Sequence, residues 1–115
     1  MQGTIIKSTG SWYQVLEENS NKIFEARIRG KFKLIKTRLT NPIAVGDKVE
    51  FSLEQDDVAW ITKIYPRRNY IIRKSVNLSN EAHIIASNVD LSCFIFTLKH
   101  PETSLGFLDR FLACC

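Results

Sequence analysis

A mainly β chain is predicted: a five-stranded barrel of the OB type, followed by the first strand and helix of an α/β unit. Three observations carry that prediction. Between residues 3 and 64, apolar side chains alternate with period two in short stretches bounded by Gly, Asn, Asp or Pro. The connections between those stretches are short except across residues 30 to 44, and one long interruption suits a small Greek-key barrel. Beyond residue 88 the pattern changes to a continuous apolar run and then to helical spacing. An SH3-like barrel fits the same strand count, and spacing alone leaves both open.

Residues 3–9 are short and β-branched, and Gly10-Ser11 supplies a turn before Trp12-Tyr13-Gln14-Val15-Leu16, a hairpin signal. Residues 19–21 make the next turn. In 23–29, Phe24, Ala26 and Ile28 alternate with Glu25, Arg27 and Arg29, so the first set is predicted to face the core. Thr40-Asn-Pro42 marks the long connection, because proline offers no donor to a ladder. Val45-Gly-Asp47 is a tight turn, after which Val49, Phe51 and Leu53 alternate with polar neighbours. Residues 58–64 alternate again and end at Tyr65-Pro66.

The texture of 67–83 is basic and polar, and it reads as a linker or crossing strand. Residues 89–98 form a nearly continuous apolar run, the pattern of a strand buried on both faces. Leu105, Leu108, Phe111 and Leu112 share one helix face, with Thr103 or Ser104 as the N-cap. The organisation predicted is therefore a barrel domain at 1–66, a linker at 67–83, and the opening of a second domain at 84–115.

Charge is more informative for its placement than for its net value of +4. Arg27, Arg29, Lys31, Lys33, Lys36 and Arg38 fall within residues 27–38 without one acid, and Lys63, Arg67, Arg68, Arg73 and Lys74 repeat the pattern. Those eleven residues are most of the sixteen bases, so one face is predicted to be basic. Such a run is either a solvated surface or a phosphate-binding segment, since Lys and Arg displace counterions from nucleic acid.

Several classes of function find no support. No phosphate loop of the Gly-x-x-x-x-Gly-Lys-Ser/Thr kind is present, and Asn21-Lys22 is not followed by the Asp that guanine recognition needs. His83 and His100 are isolated, as surface or capping histidines are. Cys93, Cys114 and Cys115 lack metal-type spacing and read as reduced thiols. No catalytic residue, metal ligand or cofactor is therefore expected in this stretch. No run approaches the roughly eighteen apolar residues of a membrane span, and the N-terminus lacks signal-peptide regions, so a cytoplasmic protein is expected.

Taken together, Gly3-Thr-Ile-Ile-Lys-Ser-Thr-Gly-Ser-Trp-Tyr-Gln-Val, Ala26-Arg-Ile-Arg-Gly-Lys-Phe, Val45-Gly-Asp-Lys-Val-Glu-Phe, Ile64-Tyr-Pro-Arg-Arg-Asn, Ile85-Ala-Ser-Asn-Val-Asp and Phe107-Leu-Asp-Arg-Phe-Leu follow one another in order. This series resembles the RsgA/YjeQ-type ribosome-small-subunit-dependent GTPases across nearly the whole chain. The resemblance implies an N-terminal OB domain, then a circularly permuted, P-loop GTPase-like domain, then a small zinc-binding domain. On that implication this chain ends inside the second, and GTP, Mg²⁺ and one zinc belong to the portion beyond Cys115. It further implies a monomer that binds the small ribosomal subunit and its ribosomal RNA late in assembly, with GTP hydrolysis driving release.

Carried over residue by residue, Arg27, Arg29, Lys31, Lys33, Lys36 and Arg38 are expected to contact phosphates. Trp12 and Tyr13 are adjacent on a strand, so one ring faces inward and the other outward. The outward ring either stacks on an unpaired base or only packs on the barrel. Phe32, between two lysines, is a stacking candidate or a lid over one barrel end. Arg67 and Arg68 either continue the RNA face or clamp the barrel to the following domain, where Asp90 is expected to serve a structural role. The alternative function is a non-enzymatic RNA-binding OB module of cold-shock or initiation-factor type, and a third is a barrel whose basic segment meets an acidic protein.

Overall fold

In the computed structural model, which describes residues 1–29, 42–55, 57–74 and 82–114, the period-two stretches become strands. These are β1 (Gln2–Thr9), β2 (Trp12–Glu17), β3 (Ile23–Ile28), β4 (Lys48–Leu53) and β5 (Ala59–Ile64). They close into a barrel in the order β1-β2-β3-β5-β4. Antiparallel pairs join β1 to β2, β2 to β3, β4 to β5 and β1 to β4, while β3 and β5 run parallel. That parallel seam, with β1 closing onto β4, is the OB arrangement and rules out the SH3-like alternative.

The barrel is filled by Ile5, Tyr13, Val15, Ala26, Val49, Phe51, Ala59 and Ile61, with Ile43 buried at its end. Phe24, Ile28 and Ile64 pack against this cluster, and the Phe24 and Phe51 ring centroids lie 5.7 Å apart. Two bulges set which residues point inward. The register skips Ile6 in β1, so Ile5 pairs with Val15 but Lys7 with Gln14. It also skips Thr62 in β5, where Glu50 pairs with Lys63 but Phe51 with Ile61. Each extra residue reverses the inward parity beyond it, which is how Ile61 and Ile64 both reach the core.

Residues 67–83, read as a linker or crossing strand, contain a strand. β6 (Tyr70–Lys74) and β7 (Ala82–Ser87) form a separate antiparallel pair, and the expected boundary at 84 falls within β7. The end of β7 docks on the barrel turn at 44–47. Val45 bridges Ala86, and Ser87 N–H donates to Val45 O at 2.8 Å. Gly46 has a φ of +93°, and a Cβ there would sit 2.0 Å from Ser87 O, so only glycine lets the two backbones approach this closely.

The strand expected across 89–98 does not form. Those residues carry no ladder, and Leu91, Ile95 and Leu98 are 79%, 88% and 81% exposed. A strand buried on both faces requires neighbours along both edges, and among the described residues none lies beside it. Helix α1 (Leu105–Cys114) does form. Ser104 is its cap, with Phe107 N–H donating to Ser104 Oγ at 3.2 Å. Of the expected face, Leu108 and Phe111 are half-buried while Leu105 and Leu112 are exposed, and Phe111 packs on Phe94 at a centroid distance of 4.7 Å, joined at 5.6 Å by the half-exposed Phe107.

Candidate nucleic-acid interface

The outer face of β2 and β3 is positioned by the same alternation that fills the core. Tyr13, Val15 and Ala26 point inward, so Trp12, Gln14, Glu25 and Arg27 point outward. Trp12 is 43% exposed. The Arg27 guanidinium carbon lies 4.7 Å from the centroid of its indole ring, a cation–π distance that holds the long arginine against the strand. One step along β3, Gln14 Nε2 donates to Glu25 Oε1 at 2.7 Å. The acid nearest Arg27 on this strand is thereby engaged elsewhere. Gly10, at a φ of +58°, opens the two-residue turn that presents Trp12 at the start of β2.

Arg29 follows β3 and forms an exposed ion pair with Glu54 at the end of β4. Its side chain is 56% exposed, so the pair is one that solvent and salt weaken readily. Lys31, Phe32, Lys33, Lys36 and Arg38, the centre of the predicted basic segment, lie outside the described residues. The structure thus brings together Trp12, Arg27 and the start of the basic segment on one side of the barrel.

Tyr13 and Arg67 are engaged within the fold. Tyr13 is the inward ring, 2% exposed, and burial pushes its phenol above the ordinary tyrosine range. Arg67 is folded onto the wholly buried Asp47, Nε donating to Oδ1 at 2.7 Å and Nη2 to Oδ2 at 2.6 Å. Its Nη2 also donates to Pro42 O at 3.0 Å, and hydrogen bonding to Asp47 raises the Arg67 pKa. Asp47 accepts two further bonds, from Ala44 N–H at 2.9 Å and from the Ser87 hydroxyl. Arg67 therefore holds Asp47, which also accepts from Ser87 at the end of β7, so the pair ties the segment after β5 to the barrel turn and, through Asp47, to β7. Arg68 is exposed and pairs with Asp90, and its backbone N–H donates to Asn88 Oδ1 at 2.8 Å.

Sequence reasoning missed two residues. Asp47 read only as a turn residue, although it is the hub of the junction. Trp60 read only as a strand residue, yet it lies in register with Arg27 across the parallel seam. Its neighbours Ala59 and Ile61 are wholly buried, so Trp60 faces outward beside Arg27. The signal that would have found it is the odd-numbered inward set of β5, which the bulge at Thr62 disguises.

Among the described residues no group of three or more His, Cys, Asp or Glu is placed to hold a metal ion. The sequence also has no Gly-x-x-x-x-Gly-Lys-Ser/Thr loop of the kind that cradles phosphates. Among the described residues no helix is long and apolar enough to cross a membrane.

The model of the RsgA N-terminal domain matches residues 2–61, which covers the barrel as far as Ile61 in β5. The chain belongs to the RsgA family. An RsgA named as a small ribosomal subunit biogenesis GTPase, from Christiangramia forsetii, is 55% identical over 115 residues, covering 97% of this chain and 36% of that protein. Its namesake from Bacteroides fragilis (strain YCH46) is 50% identical over 113 residues, covering 98% of this chain and 36% of that protein. The chain thus spans about a third of the length of these RsgA relatives. Two solved structures are similar to it: YloQ, described as a circularly permuted GTPase, at TM-score 0.63 and 33% identity, and YjeQ from Thermotoga maritima at TM-score 0.67 and 26% identity. The chain is covered to 96% in each and spans 34% and 35% of them.

Proposed function

We propose that this chain is the part of a small-subunit biogenesis GTPase that seats the protein on ribosomal RNA. The observation that carries this reading is the Trp12–Arg27 stack on the outer face of β2 and β3, at the point where the chain enters its basic segment. Arg27, held on a rigid strand and followed in sequence by five more bases up to residue 38, supplies phosphate affinity without base choice. Arg29 joins it by exchanging Glu54 for a phosphate. The names of the relatives point to the small ribosomal subunit as the partner.

On this reading the chemistry belongs to the portion of the RsgA relatives that this chain does not span. That portion would bind GTP with Mg²⁺ and carry the zinc, and hydrolysis would release the protein from matured subunits. The protein acts as a monomer in the cytoplasm. Residues 1–115 alone are expected to show no GTP turnover.

The test is a salt titration of binding to small-subunit ribosomal RNA. Replacing Lys31, Lys33 and Lys36 by alanine should weaken binding and flatten the salt slope, by about 0.7 to 0.9 for each phosphate no longer neutralised. An unchanged slope would favour an acidic protein partner in place of RNA.

A further inference from the structure

We infer that the outer face of β2, β3 and β5 is a stacking platform for unpaired RNA bases, built from Trp12, Arg27 and Trp60. This rests on the RNA-binding reading and specifies which form of RNA is bound. Tyr13 pairs with Ala26, which places Trp12 beside Arg27 across the β2–β3 edge. Arg27 pairs in turn with Trp60 across the β3–β5 seam. The three outward-facing positions therefore form one row running across three neighbouring strands, with Arg27 in the middle and its guanidinium on the Trp12 indole. Adjacent strands lie about 4.8 Å apart, so the tryptophan positions are separated by roughly 9.5 Å.

A row of two tryptophan positions with an arginine between them suits bases rather than a duplex. Aromatic rings and guanidinium planes stack on the faces of bases, and those faces are exposed only where the RNA is unpaired. An A-form helix instead presents its phosphates and 2′-hydroxyls and would touch this row only at its edge. Charge favours the same occupant. The row leads into the basic segment, while Glu25 is tied to Gln14 and Glu54 to Arg29.

Trp12 and Trp60 are the two tryptophans of the chain, so its tryptophan emission, excited selectively at the red edge beyond tyrosine absorption, reports on this face. The experiment titrates the 115-residue chain with a single-stranded ribosomal RNA loop sequence and with the same sequence closed into a duplex. Saturating single strand should quench the emission and duplex should not. Trp12→Leu and Trp60→Leu should each retain part of the quench and lower single-strand affinity about 5- to 100-fold, with the salt slope unchanged. Circular dichroism of each variant establishes that the barrel is intact. Absence of quenching in the unmodified chain at saturation overturns the platform whatever the variants do. Full affinity in both leucine variants, with a flattened slope in the Lys31, Lys33 and Lys36 variant, also overturns it while the phosphate-binding reading stands. Failure of the unmodified chain to bind either RNA overturns both.

Discussion

Arg67 and Asp47, twenty residues apart in sequence, meet side-on through two hydrogen bonds of 2.7 and 2.6 Å, and the carboxylate is wholly buried. A buried charge is tolerable only where its lone pairs are taken, and here Ala44 and Ser87 take the remainder. The pair joins three pieces of chain: the turn before β4, the segment after β5, and the end of β7. Removing Asp47 leaves the Arg67 fork, the Ala44 N–H and the Ser87 hydroxyl without their shared acceptor. Asp47→Ala should therefore cost about 3 to 5 kcal/mol in urea unfolding. Arg67→Lys keeps the charge but loses the side-on fork, so it should cost less than Asp47→Ala and still be measurable. Equal stability of Arg67→Lys and the unmodified chain would mean that geometry is not what the site requires.

Gly46→Ala should detach β7 from the barrel. The new methyl would meet Ser87 O at 2.0 Å, and the backbone φ of +93° is one that L-residues resist. Hydrogen exchange should show Ser87 N–H, bonded to Val45 O, losing protection while the amides of β2 and β3 keep theirs.

Phe51 fills the barrel centre at 1% exposure and touches Phe24 across it. Its replacement by alanine should destabilise by about 3 to 5 kcal/mol through reduced burial and the cavity left behind. A decrease below about 1 kcal/mol would show that the barrel collapses around the gap.

Glu54→Gln should act on binding and scarcely on folding. The Arg29–Glu54 pair is half exposed at both ends, so its loss changes stability by less than about 1 kcal/mol. RNA affinity should rise, because one repelling acid is gone and Arg29 is released. A fall in affinity would show that Glu54 supports binding where it is expected to oppose it.

Alkaline pH should weaken the barrel through Tyr13. Burial raises its pKa above the ordinary 10.0, so the folded chain keeps the phenol proton after the unfolded chain has lost it. The stability this contributes is complete below about pH 10 and falls as pH rises through the folded-state pKa. Spectrophotometric titration should find one of the three tyrosines ionising late. Tyr13→Phe should remove that late step together with its share of the alkaline loss.

The barrel strands were legible because each rests on local information. Alternation with period two, bounded by Gly10, residues 19–21, Gly46 and Pro66, determined five strands whose ends match the structure to within a few residues. The same rule required one of Trp12 and Tyr13 to face inward, although it did not say which. The family, too, was legible, because the motifs that carry it lie in order along the chain.

What only the tertiary structure decided depends on residues distant in sequence. The bulges at Ile6 and Thr62 reverse the inward parity, and a bulge exists only in relation to the partner strand. Trp60 joined the candidate interface because β5 lies parallel to β3, a closure no local pattern encodes. Arg67 left it because a buried carboxylate lies within reach, and charge composition does not reveal where a charge is already satisfied. The run at 89–98 has the composition of a buried strand, but a strand is made by its neighbours, and its hydrogen bonds cannot be supplied by its own sequence.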